Sequence, residues 1–170
     1  MRAILTVAGL SLLAAPALAE DVQIELTIPR LDVAEYHRPY VAVWIAAPDQ
    51  TVVANLAVWY QQARSNGGEK GETWLKELRQ WWRRSGRELD MPVDGVSGPT
   101  KAPGVQEISL PTDAGPLSKL KPGDYILVAE AVREVGGREM VSVPFSWPLK
   151  AAVTGAGSEE LGKVSLRISN

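Results

Sequence analysis

Between positions 22 and 28 the chain alternates strictly. Val22, Ile24, Leu26 and Ile28 are apolar, Gln23, Glu25 and Thr27 are polar, and Pro29 ends the run. A period of two is what a strand with one buried face requires. Tyr40–Ala46 and Val52–Tyr60 are two further apolar segments, and the polar link Pro48-Asp49-Gln50-Thr51 between them reads as a hairpin turn. More strands are expected at Val105–Leu110, Tyr125–Arg133, Met140–Trp147 and Val164–Ile168. Lys121-Pro122-Gly123-Asp124 is turn chemistry just ahead of one of them, and Gly136-Gly137 signals a hairpin. About seven short strands punctuated by Gly and Pro predict a mainly β fold, an immunoglobulin-like antiparallel β-sandwich.

One segment departs from that rhythm. Over Thr73–Arg84, Trp74, Leu78 and Trp81 recur at helical spacing, Leu75 and Trp82 widen the stripe, and Lys76, Arg79 and Arg83 fall mainly on the other side. Thr73 suits an N-cap and Gly86 a C-terminal stop, so a short amphipathic helix is expected over about residues 73–85, inserted between strands. The first 19 residues read differently again. Arg2 precedes the uncharged stretch Ala3–Leu13, Pro16 breaks it, and Ala17-Leu18-Ala19 is a small-x-small cleavage pattern. This is a signal peptide, too short to span a bilayer, which needs about 20 apolar residues. Cleavage after Ala19 leaves residues 20–170 as a single β-sandwich domain, soluble once released, with no second apolar run long enough to cross a membrane.

Composition narrows the chemistry. The formal net charge is −2, so no basic field gathers phosphates and a nucleic-acid partner is not expected. Cysteine is absent, which excludes disulfides, thiolate metal sites and cysteine nucleophiles. An exported chain without cysteine suggests the bacterial periplasm, stabilised by packing. A single histidine, His37, leaves no multi-His metal site and is expected at a strand edge. Hydrolase and dinucleotide fingerprints are missing.

The loop after the helix carries the remaining candidate chemistry. Asp94-Gly95-Val96-Ser97-Gly98-Pro99-Thr100 offers one carboxylate, two hydroxyls and glycines that permit tight turns. On physical grounds it is a polar loop whose Asp94 and Ser97 cap turns. It also resembles the flavinylation motif Asp-x-x-Ser/Thr-Gly-Ala-Thr read by the exported, magnesium-dependent flavin transferase of bacteria. The resemblance implies FMN in phosphoester linkage to Thr100, with FAD as donor and Asp94, Ser97 and Gly98 as recognition positions. Pro99 stands at the alanine position, where it fixes φ and removes an N–H.

The order of features resembles the bacterial periplasmic family called domain of unknown function 2271. The matching pieces run from Arg38-Pro39-Tyr40 through Leu56–Trp59, Trp74-Leu75, Trp81-Trp82 and the Asp94–Thr100 loop. They continue with Gly123-Asp124-Tyr125, Ala129-Glu130-Ala131 with Arg133, and Gly157–Gly162. What the resemblance implies is a periplasmic electron carrier with covalent FMN, served by a flavin transferase and a membrane-bound electron donor. It would be a redox carrier with no substrate of its own. Trp81 and Trp82 are candidates to stack on the flavin, but adjacent helical residues point about 100° apart, so one is expected in the core and one at a pocket edge. Arg79, Arg83 and Arg84 suit a flavin phosphate, and two of the three are expected on a solvated face. The alternative is a cofactor-free immunoglobulin-like binding or assembly module that docks partners through a Trp-rich surface.

Overall fold

The computed structural model describes residues 21–62 and 71–169; the expected signal segment lies outside them. Among the described residues nine strands form two sheets: β1 (Asp21–Ile28), β2 (Tyr40–Ala46), β3 (Val52–Tyr60), β4 (Ser97–Pro99), β5 (Gly104–Pro111), β6 (Gly123–Val132), β7 (Arg138–Trp147), β8 (Val153–Ala156) and β9 (Lys163–Ser169). The strand orders are β5-β1-β9-β8 and β4-β3-β2-β6-β7. The run β3-β2-β6-β7 matches the C′-C-F-G order of an immunoglobulin variable-type sheet, and β1 beside β5 matches B beside E. The C-terminal β9 occupies the place of strand A.

Burial follows the sequence pattern. In β1 all four apolar residues are buried and the polar ones between them are half-exposed. In β2 every residue from Val41 to Ala46 is buried, because both faces are covered. Val41, Val43 and Ile45 enter the core between the sheets, while Ala42, Trp44 and Ala46 face a second core. That second core is closed by Leu75, Leu78 and Trp81 from the helical segment. Burying each leucine contributes about 1.5–3 kcal/mol, enough to hold a short segment on the sheet.

The helical segment is not the continuous helix expected. Gly71–Glu77 is a 3₁₀ segment, Leu78 breaks it with ψ of 70°, and a six-residue α-helix, α1 (Arg79–Arg84), follows. In 3₁₀ geometry positions three apart eclipse, so Leu75, Leu78 and Trp81 share the buried face. Trp74 falls off that face and stands 48% exposed. Thr73 lies inside the 3₁₀ segment and is no N-cap. The first turn of α1 is instead satisfied from the sheet: the carboxylate of Glu130 on β6 accepts N–H bonds from Gln80 at 3.1 Å and Trp81 at 2.9 Å. Gly86 has no left-handed φ to end the helix. It lies flat against Trp81, where a Cβ would sit 2.5 Å from the ring.

β4 falls in the loop expected over Asp94–Thr100, and β8 is not among the strands expected. β4, Ser-Gly-Pro, has poor strand propensity and forms because it pairs with β3, in parallel, at Val58, Trp59 and Tyr60. β8 lies over β7, where Gly155 leaves room for Val143; a Cβ there would come within 2.9 Å of Val143 Cγ2.

Candidate functional site

At one end of the five-stranded sheet the strand ends lie side by side. β4 ends at Pro99 beside Tyr60, β2 begins at Tyr40 beside Val132, and Val132 pairs with Arg138 at the start of β7. The loops leaving these ends enclose a cleft of about 900 Å³, within the range of small-ligand sites. Arg38, Arg79, Arg133 and Arg138 line it, against the carboxylates of Glu77 and Glu134. Tyr36, Tyr40 and Trp74 add aromatic surface.

Two of the arginines are fixed by buried carboxylates. Arg133 donates to Glu160 through Nε and Nη2 at 3.0 Å each, and Gly137 N–H donates to the same carboxylate at 2.8 Å. Both side chains of that pair are less than a tenth exposed. The guanidinium lies over the Tyr36 ring at 5.9 Å and packs on Gly136, where any Cβ would strike it. Arg138 donates to the wholly buried Glu130 at 3.1 Å, so the carboxylate that starts α1 also anchors the cleft wall. Burial pushes the Tyr36 hydroxyl above its ordinary value, with the Arg133 charge opposing. Arg38 and Arg79 are exposed and carry no ion pair among the described residues.

The loop bearing Glu160 is itself held. Glu139 accepts N–H bonds from Ser158, Glu159 and Leu161 at 2.7, 3.0 and 2.9 Å. Burial raises its carboxyl, but these donors outweigh it and hold the group below the usual carboxylate range.

The Asp94–Thr100 segment reaches the cleft at its end. Val96 and Ser97 N–H groups donate to Val93 O at 3.2 and 2.9 Å, and Ser97 Oγ accepts from Val93 N–H at 2.9 Å. Gly95 supplies the positive φ of 69° that this turn needs. Asp94 is exposed on the turn. Ser97 bonds the Tyr60 hydroxyl as well, and Gly98 lies against Trp59, with a Cβ placed 3.3 Å from Cδ1. Thr100, the first residue after β4, is half-buried and lines the cleft.

Of Trp81 and Trp82, one was expected in the core and one at a pocket edge, and Trp81 is the core residue. Trp81 is wholly buried and donates its indole N–H to Asn55 Oδ1 at 2.8 Å. Trp82 packs half-buried on the second core, 6.3 Å from the Trp81 ring. Neither lines the cleft; Trp74 does. Of the helix arginines, Arg79 lines the cleft, Arg83 donates to Gln80 and Arg84 to Gln50. His37 lies on the cleft wall between Glu35 at 2.9 Å and Glu134 at 3.5 Å. Sequence reading missed Tyr36, Arg38 and the Arg133–Glu160 pair as cleft builders. The available signal was charge set into apolar strand context, Glu130 between Ala129 and Ala131 with Arg133 just beyond.

Fold and cleft together define a β-sandwich whose second sheet is capped by a helical segment and opens, at one end, into a basic, aromatic site of ligand size. The chain belongs to the DUF2271 family, described as predicted periplasmic protein, whose model matches residues 21–163. No curated protein and no solved structure matches it significantly.

Proposed function

We propose that the protein is a periplasmic electron carrier bearing FMN in phosphoester linkage to Thr100, released from its signal peptide after Ala19. The observation that carries this reading is the position of Thr100 on the wall of a cleft lined by Arg38, Arg79, Tyr36 and Trp74. A flavin phosphate asks for cationic donors close to its attachment atom, and its ring system asks for flat apolar surface. Both are present within one cleft of fitting size.

In attachment, the Thr100 Oγ–P bond forms as the pyrophosphate bond of FAD breaks. AMP leaves, and the hydroxyl proton passes to a base on the transferase. Asp94 and Ser97 present the segment: one is exposed, the other closes the turn that sets the Gly98–Thr100 direction. Pro99 sits in an edge strand, where sheets tolerate proline. The flavin, once bound, supplies the redox chemistry by taking up and returning electrons. Arg79 and Arg38 would balance the phosphate charge, and Trp74 would offer the ring system flat apolar surface.

The test is the intact mass of the mature protein made with an active flavin transferase, followed by peptide mapping. The expected result is one FMN on the peptide containing Thr100, absent from Thr100→Ala, and an N-terminus at Glu20. A bare mass, with the transferase active on a control substrate, refutes the attachment.

A further inference from the structure

We propose that the cleft contains an oxyanion subsite, built by Tyr36 and Arg133 with Arg79 on the cleft wall, that takes the phosphate of a ligand with a flat apolar body. The argument starts from unmet hydrogen bonds. Among the described residues four buried side-chain polar atoms have no partner, and two of them, Tyr36 Oη and Arg133 Nη1, belong to residues that line this one cleft. Arg133 is 7% exposed and spends its Nε and Nη2 on Glu160, so Nη1 is left over.

Both orphans are donors. A guanidinium donates only, and a tyrosine hydroxyl held protonated by burial donates as well. A buried donor without an acceptor is unfavourable, and a bound oxyanion supplies the missing acceptors. Arg79, exposed and without an ion pair among the described residues, adds charge to the cleft wall. The apolar half of the ligand is read from the rim. Trp74 is 48% and Val135 81% exposed, and both line the cleft. Val135 holds a φ of 53°, a costly conformation for a β-branched residue, at the tip of the β6–β7 hairpin.

The subsite acts without covalent attachment, and it rests on the reading above only in the choice of FMN as probe. Mature Thr100→Ala protein, made without transferase, is titrated with FMN and with riboflavin while tryptophan fluorescence is followed. The expected result is binding of FMN roughly tenfold or more tighter than riboflavin, as a charged hydrogen bond predicts. Inorganic phosphate should compete, and added salt should narrow the gap. Tyr36→Phe, which keeps the packed ring, and Arg79→Ala, which alters an exposed side chain, should each reduce the FMN preference several-fold and leave riboflavin binding unchanged. Equal affinities, binding of neither flavin, or a preference untouched by both variants overturns the subsite. Covalent flavin on Thr100 without FMN preference in Thr100→Ala removes the subsite and keeps the attachment. A bare mass with a clear preference does the reverse.

Discussion

Glu130 joins three parts of the molecule, and replacing it by glutamine measures how much that junction contributes. Its carboxylate is fully buried on β6, accepts the Gln80 and Trp81 amides at the start of α1, and pairs with Arg138 on β7. Glutamine keeps the volume and one acceptor oxygen. It loses the charge, and it turns an NH₂ toward groups that are all donors. A hydrogen bond to a charged group contributes about 1.5–3 kcal/mol, and an unmet buried donor costs about 1–3 kcal/mol. Release of the desolvated carboxylate offsets part of this. The net loss for Glu130→Gln is therefore about 2–4 kcal/mol, a large share of the roughly 5–15 kcal/mol that a domain has. In a chain of this length that corresponds to about 5–15 °C in Tm. Thermal unfolding followed by near-UV circular dichroism is the assay, since Trp81 packs beside the junction. Adding Arg138→Gln should cost less in the Glu130→Gln background than in the parent, because the two residues share one interaction. A variant that melts within about 2 °C of the parent with an unchanged tryptophan signal would mean that apolar contacts alone hold α1, and the reasoning fails.

Gly86→Ala should destabilise by about 1–3 kcal/mol in urea unfolding, because the new methyl meets the Trp81 ring and that ring is fixed by its bond to Asn55. Glu139 has a folded pKa below its ordinary value of 4.5, so its contribution is fully present above that value and is lost as pH falls through the depressed one. Glu139→Gln should therefore lower stability near neutral pH and flatten the acid limb of a stability-against-pH curve; an unchanged limb counts against the loop clamp. Glu160→Gln alone should cost about 3–5 kcal/mol by stranding Arg133, while Arg133→Met with Glu160→Leu should recover much of that loss, as read from paired denaturation curves.

The strands were legible where one rule governed them. Alternation from Val22 to Ile28 marks one buried face, and the apolar run through β2 marks two, although nothing local says that the second cover is a helical segment. The helix was legible in place and not in form. Its break at Leu78 comes from the fit of Leu75, Leu78 and Trp81 to the sheet and from the Glu130 carboxylate about 50 residues away, both of them tertiary causes. β4 escaped notice because Ser-Gly-Pro has no strand propensity of its own. In the cleft, Thr100 and Arg79 were readable from motif and charge, but Tyr36, Arg133 and Glu160 meet only through strand register and a loop from the other sheet. Indole content misled: three of the six tryptophans, Trp44, Trp59 and Trp81, are buried, and the exposed Trp74 was read as part of the buried stripe.

Arg133 and Arg138 each face the cleft while balancing a buried carboxylate. Loss of either removes the counter-charge of an acid inside the molecule and leaves it only backbone N–H donors, so a change at one of these cleft positions reaches the stability of the fold. Arg38 and Arg79 are exposed and balance no buried acid, so among the cleft arginines theirs are the positions where a substitution leaves the fold least disturbed.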